Sequence, residues 1–380
     1  VAGGMKILVL NAGSSSLKFD FFETTPERIA ANTDQLIKRG TVERVSSMAE
    51  ALGSAFDQIG PVPIEAVGHR IVHGGDRFRE STIIDAAVEK GIDELCALAP
   101  LHNPHNLEGI RAARARLPEV PQVAVFDTAF HRTLPAKAYT YALPYEYLTE
   151  KKIRRYGFHG ISHRFVSWKF AELQGKKRGD YRMITCHLGN GCSVCAIEYG
   201  RSIDTSMGFT PLEGLIMGSR SGDVDAGAIL HLITHEHETP DAVLRILNGA
   251  SGLKGLSGVS NDMRDVLREA TAGNQRARLA VDAFCYRVRK YIGAYLAAMN
   301  GADVLIFTAG IGENAARVRA RICDGLDNLG VAIDPAANAK EGREPRQIGH
   351  AAIPVWVIPT EEELLIARDT LRCILKLPHE

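Results

Sequence analysis

Residues 7–21 read ILVLNAGSSSLKFDF, and no other stretch limits the fold of this chain as much. Ile7 to Leu10 form an apolar run that stops at Asn11, Ala12 and Gly13. A second strand then alternates. Leu17, Phe19 and Phe21 fall on one face, and Ser14, Ser16 and Lys18 on the other. The apolar face suits a core. The polar face sets hydroxyls and an ammonium beside a glycine turn, which is what the phosphates of a nucleotide need. An ordinary surface hairpin with solvated serines has the same pattern. Residues 184–197, ITCHLGNGCSVCAI, repeat it about half a chain later: apolar strand, Asn/Gly turn, Ser, apolar strand. This weak internal repeat predicts two related domains, each opening with a hairpin aimed at a shared cleft.

Length agrees, because 380 residues exceed one ordinary core. Strand-like and helix-like segments alternate, which predicts an α/β architecture. Leu279 to Asn300 keeps helical spacing through Val281, Phe284, Val288, Ile292, Tyr295 and Met299, with Gly301 as its C-terminal stop. Val304 to Phe307 reads as a buried strand, and residues 309–314 (AGIGEN) as a glycine turn before a helix N-terminus, a plausible nucleotide contact. Val355 to Ile358 is another strand leading through Pro359 into the last helix. Arg39 to Glu43 suits an edge strand. The glycine-rich stretch 249–258 reads as a long loop or a disordered segment.

Zero formal net charge gives no reason to expect nucleic acid or a membrane surface as partner. No apolar run approaches a membrane span, and the first residues lack the pattern of a signal peptide. Val1 to Gly4, ahead of Met5, are set aside as an appended remnant. Seven scattered cysteines, an odd number, predict reduced thiols in the cytoplasm. Cys192 and Cys195 form a C-x-x-C, but within a strand-like run, whereas a redox pair would open a helix.

Several residues can carry chemistry. Asp127 ends the apolar strand Val123 to Phe126, where ligands gather in open α/β folds; it could equally cap the next turn. Arg70 lies in a strand-like run and could serve a structural ion pair. Arg220 lies in a Gly-Ser-Arg-Ser-Gly loop with little to pack against, which favours anion recognition. His159 and His163 are four apart, but no glutamate base accompanies them as in a metallohydrolase. His231, His235 and His237, interleaved with Glu236 and Glu238, read as a solvated helix end rather than a zinc site. Thr360 and Glu363 have capping-box spacing, and Thr210 to Glu213 with Pro211 reads as a second helix start, with Glu213 structural.

The motif N-A-G-S-S-S-L-K-F resembles the opening signature of the acetate kinase family, the acetate and propionate kinases. The resemblance continues through H-R-I-V-H-G-G (69–75), L-A-P-L-H-N-P (98–104), V-F-D-T-A-F-H (125–131), Y-G-F-H-G-I-S-H (156–163) and H-L-G-N-G (187–191). It runs on through D-T-S-M-G-F-T-P-L-E-G (204–214), F-T-A-G-I-G-E-N (307–314) and V-I-P-T-E-E-E (357–363). The resemblance implies two ribonuclease-H-like α/β domains around a cleft, like those of the sugar kinase, Hsp70 and actin superfamily. One would cover residues 5–129 with a returning helix at about 365–380; the other would cover 130–364.

The activity implied is reversible, direct in-line transfer of a phosphoryl group from ATP to acetate, giving acetyl phosphate and ADP. A propionate or other short-chain carboxylate kinase is the near alternative. An Hsp70-like binding module is remote, because no residues remain for a peptide-binding domain. Arg70, Asp127, His159 and Arg220 would be catalytic. Val72, Leu101, Phe158 and Pro211 would join Arg70 around the acyl substrate. Ser14, Ser16, Lys18, His187, Gly189, Asn190 and Gly191 would touch the phosphates. Asp262, Met263, Arg264, Gly310, Ile311, Gly312 and Asn314 would frame the rest of ATP or ADP. Met263 replaces a frequent Phe, which weakens base stacking. Asn11 and Glu362 would hold Mg²⁺ or Mn²⁺, and Glu361 stands where Asn is frequent. A homodimer built through the second domain is also implied.

Overall fold

The computed structural model describes residues 4–13, 16–43 and 47–378. The opening hairpin is β1 (Met5–Ala12) paired antiparallel with β2 (Ser16–Thr24), with Asn11 opposite Lys18. Leu17, Phe19 and Phe21 are fully buried, as alternation requires. They pack with Leu8 and Leu10 against Leu52 and Ala55 of the helix Met48–Ile59. The hairpin extends to β3 (Gln35–Glu43) at the sheet edge; β4 (Ala66–Ile71), β5 (Thr82–Ile83) and β6 (Gln122–Phe126) complete the order β3-β2-β1-β4-β6-β5. β1, β4 and β6 run parallel, and β5 is antiparallel.

The other face of this sheet carries Val9 and its neighbour Gly68. It is covered by the last helix of the chain, Glu362–Leu375. A Cβ at Gly68 would stand 2.4 Å from Thr370 Oγ1 and 2.9 Å from Ile366 Cγ2. Only glycine lets helix and strand approach so closely. Residues 1–132 and 361–380 therefore make one unit, and residues 133–360 make the other.

The second unit holds β7 (Arg182–Leu188), β8 (Cys192–Glu198), β9 (Arg201–Thr205), β10 (Val304–Thr308), β11 (Arg346–Gly349) and β12 (Val355–Val357). Their order is β9-β8-β7-β10-β12-β11, again with three antiparallel strands followed by parallel β10 and β12. Counted within each unit, the two six-stranded orders are identical. Each is the ribonuclease-H-like arrangement. The predicted long helix runs Gln275–Ala298 and buries Val281, Phe284, Val288, Ile292 and Tyr295. Gly301, at φ 103°, donates its N–H to Leu296 O at 2.7 Å and closes the helix.

Four local expectations are corrected. Residues 249–258 are not a loop: a π-helical turn, Ile246–Ala250, leads into the helix Gly252–Ser257. Tertiary bonds override the glycine content, since Ser251 N, Leu253 N and Lys254 N donate to Ser219 O, Met217 O and Gly218 O. Residues 309–314 form a helix directly after β10, with no glycine turn; the corner is Ala309 at φ 64°, its N–H held by Glu313 Oε1. Thr210 to Glu213 starts no helix: Thr210 Oγ1 accepts from Leu212 N, while Glu213 pairs with Arg155 at 2.6 Å and with Tyr141. The capping box at Thr360 does not form, because the last helix is capped at Glu361 with no side-chain bond. Thr360 N instead donates to Glu313 Oε1 at 3.2 Å.

Candidate active site

In the first unit, β4 and β6 run side by side, so Arg70 near the end of one meets Asp127 just past the other. Arg70 Nε and its terminal nitrogen donate to the two Asp127 oxygens at 3.1 and 2.7 Å, a bidentate pair. The same nitrogen lies 3.4 Å from Glu362 Oε2. Burial works against the charge on Arg70, but Asp127 and Glu362 outweigh it and hold the guanidinium above its ordinary pKa. Burial also pushes the Glu362 carboxyl up; Arg70 and Lys18 oppose this, and Glu363 adds to it. Glu363 also acts on the Asp20–Arg39 ion pair.

Asn11 is half-buried beside Lys18 in the ladder, and Ser16 opens β2 with its carbonyl accepting from Gly13 N at 2.9 Å. Ser14 lies outside the described residues. Among the described residues no three His, Cys, Asp or Glu side chains gather as a ligand set. Glu362 Oε2 is nevertheless buried without a hydrogen bond. Oxygen donors at Glu362 and Asn11 fit a hard divalent cation that takes its other ligands from water and phosphate. β4 ends at Ile71, so Val72 leaves the strand and strand alternation does not aim its side chain; its N–H is held by Asn106 Oδ1 at 3.1 Å. Leu101 sits in a turn, half exposed.

In the second unit, His159 adopts the left-handed region at φ 55° just before the helix Gly160–Leu173. Its ring stacks on His187 at 4.1 Å, and His187 Nδ1 meets Ser162 Oγ at 2.8 Å. Residues 189–191 form the turn of the β7–β8 hairpin. A Cβ on Gly191 would lie 3.3 Å from His159 Nε2 and 3.7 Å from an Arg220 terminal nitrogen, so this glycine keeps open the space where both converge. Arg220 donates to Pro211 O at 2.9 Å and has no carboxylate within ion-pair distance among the described residues. Burial lowers its pKa. Its loop is pinned by the helix start at Gly252 described above. Phe158 is buried, and Pro211 is half-buried.

Beside the same hairpin turn lies a cavity of about 630 Å³, lined by Gly189, Asn190, Asp262, Met263, Arg264, Gly310, Ile311 and Asn314. The volume suits a drug-sized ligand. Asn261, Leu267 and Ala315 also line it and were missed. Leu267 was findable, because it lies four residues after Met263 on one helix face. Gly312 faces away and packs on β7 near Cys186 O and Leu188 Cβ. Cys192 and Cys195 are buried strand thiols, and burial raises both pKa values, that of Cys192 to about 12. His231 and His235 stack on an exposed helix end.

Two ribonuclease-H-like units, an acid-clamped arginine in one and, in the other, an arginine without an ion-pair partner among the described residues in the same unit as a ligand-sized cavity, are what a phosphotransferase needs. The chain belongs to the acetokinase family, whose model matches residues 6–368. It is 50% identical over 412 residues to the acetate kinase of Solibacter usitatus, covering 99% of this chain and 100% of that one. Among solved structures, acetate kinase from Porphyromonas gingivalis matches with a TM-score of 0.89 at 39% identity, covering 97% and 100% of the two chains. A propionate kinase from Francisella tularensis matches with a TM-score of 0.89 at 38% identity, covering 98% and 100%.

Proposed function

We propose that this chain transfers the γ-phosphoryl group of ATP to acetate, giving acetyl phosphate and ADP, reversibly and in line. The observation that carries the reading is Arg220: a half-buried guanidinium with no carboxylate at ion-pair distance among the described residues, sharing the space over Gly191 with His159 Nε2. Such a charge asks for an anion, and a phosphoryl group in flight is the anion the family handles. The acetate carboxylate is itself the nucleophile, so no general base is required. Asp127 then serves to hold Arg70 in one orientation, and Arg70 binds the carboxylate. Asp262, Met263, Arg264, Ile311 and Asn314 frame the nucleoside, and Gly189 and Asn190 meet its phosphates. Asn11 and Glu362 would hold a bound Mg²⁺, which would supply positive charge to offset the charge of the phosphates.

The assembly proposed is a homodimer through the second unit. The helix Ala226–Thr234 there buries none of its residues, and Leu230 and Leu244 are 61% and 46% exposed. A second copy would cover this apolar surface. Sedimentation equilibrium giving a monomer at micromolar concentration would refute it. Free thiols at all seven cysteines favour the reducing cytoplasm, and no helix among the described residues is long and apolar enough to cross a membrane.

Coupled ADP release, measured with formate, acetate, propionate and butyrate, tests the activity. Acetate should give the highest kcat/KM. No ADP release with any carboxylate would end the reading. A preference for propionate would move it to the activity named for the Francisella neighbour.

A further inference from the structure

Behind His159 lies a closed chain of hydrogen bonds. His159 Nδ1 meets Ser193 Oγ at 2.9 Å, Ser193 Oγ meets His163 Nε2 at 2.8 Å, and His163 Nδ1 meets Thr185 Oγ1 at 2.7 Å. Thr185, Ser193 and His163 are wholly buried. Distances leave the proton positions open, but counting donors settles them. With neutral rings the chain has two continuous polarities, besides an arrangement in which Ser193 accepts from both rings and its own proton is left without a partner among the described residues. In one, Thr185 O–H donates to His163 Nδ1, His163 Nε2–H donates to Ser193, and Ser193 O–H donates to His159 Nδ1. Every hydroxyl proton then has an acceptor. In the other, all three bonds reverse, and the Thr185 proton has nowhere to go, because Thr185 Oγ1 meets no second partner among the described residues. A buried donor left unmade is the costlier arrangement.

We infer that Thr185, His163 and Ser193 are positioning residues that fix His159 as the Nε2–H tautomer, so that its proton faces the space shared with Arg220. The second histidine of F-H-G-I-S-H thus acts on the first through one serine. His159 presents a hydrogen-bond donor, not a lone pair, to whatever anion Arg220 attracts. Its ring orientation is held from behind by Ser193 and from one face by His187. The mechanistic meaning rests on the phosphotransfer reading above; the proton assignment does not.

The test uses the whole chain labelled with [15N]histidine. Two-bond 1H–15N correlation spectra report which ring nitrogen carries the proton, and His159→Gln identifies the His159 signals by their loss. Both His159 and His163 should show a protonated Nε2 and a bare Nδ1. A bare Nε2 on His159 would overturn the assignment whatever the activity, so this readout separates failure of the tautomer from failure of the proposed reaction. Ser193→Ala should lower kcat about tenfold, with KM for both substrates within about twofold, the pattern of an interaction felt in the transition state. Ser193→Thr, which restores the hydroxyl, should recover most of the loss. Unchanged kcat in Ser193→Ala would refute the positioning role. Should that variant not fold, Thr185→Val, of nearly equal shape, takes its place: the two ring-nitrogen signals of His163 should move towards each other. Identical His163 signals in that variant would show that Thr185 does not set the polarity.

Discussion

Arg70, on a strand, and Arg220, in a loop, belong to units whose sheets share one strand order, and they are treated in opposite ways. Arg70 sits between two carboxylates, one of them bidentate, and its charge is secured by the protein alone. Arg220 is half-buried against a carbonyl oxygen and a thioether, with no acid at ion-pair distance among the described residues. The first arrangement holds its guanidinium in one orientation without any ligand. The second costs desolvation energy until an anion arrives. One strand order, used twice, thus carries one arginine paired within its own unit and one without an ion-pair partner among the described residues.

Substituting each arginine should break this comparison most sharply. Arg70→Ala and Arg220→Ala should each lower kcat by roughly 10³-fold, the scale of arginine stabilisation in phosphoryl transfer. Their stabilities should diverge. Arg70→Ala removes the cation from between Asp127 and Glu362 and should cost about 3–5 kcal/mol. Arg220→Ala removes an uncompensated charge and should leave stability unchanged or raise it. Both tryptophans, Trp168 and Trp356, lie in the second unit, so far-UV circular dichroism reads both units and tryptophan emission reads the second. The Arg70→Ala melt should shift more by circular dichroism than by emission. Equal stability losses in the two variants would erase the distinction.

A second difference concerns acid. His69, buried in the first sheet against Gln122, has its pKa lowered from 6.5 to about 4, by burial above all. Between those values the unfolded chain takes up a proton that the folded chain refuses. Stability is therefore complete above pH 6.5 and falls as pH drops towards 4, by at most about 3 kcal/mol. Urea midpoints across this range should flatten in His69→Gln; an unaltered slope would exclude His69 as the source.

Smaller effects sharpen the first unit further. Val72→Ala should raise the propionate-to-acetate ratio of kcat/KM by about tenfold, within the ~1–3 kcal/mol that one methylene commands. An unchanged ratio would remove Val72 from the acyl pocket. Smallest is the contrast between adjacent acids. Glu362→Gln should raise the Mg²⁺ concentration for half-maximal rate, whereas Glu363→Ala, at a residue that caps nothing, should change stability by under about 0.5 kcal/mol. A loss near 1 kcal/mol at Glu363 would restore the cap.

The sheets were legible because burial writes itself into alternation and apolar runs: Leu17, Phe19 and Phe21 announced one hairpin, and residues 184–197 its repeat. The helix ends were less so. Thr360 has the right neighbours for a cap, yet its N–H is claimed by Glu313, 47 residues away in sequence. The helix at 252–257 depends on carbonyls at 217–219, which no local window contains. At the site, motif resemblance nominated Arg220, His159 and Gly191 one by one. Their convergence is a property of packing. The pairing of His163 with Ser193 had no local signature, since it joins a helix to a strand.

The returning helix Glu362–Leu375 has a consequence for biosynthesis. It supplies Glu362 to the arginine cluster and covers the sheet at Gly68, yet it is made after the whole of the second unit. A chain growing from its N-terminus can complete the second unit while the first still has one bare sheet face. The first unit therefore cannot follow the usual order, in which the earlier domain is complete before the later one is made. The cluster of Arg70 and Asp127 acquires its third charge only after the second unit has been made, so a chain interrupted before this helix has a bare sheet face and an incomplete ion cluster.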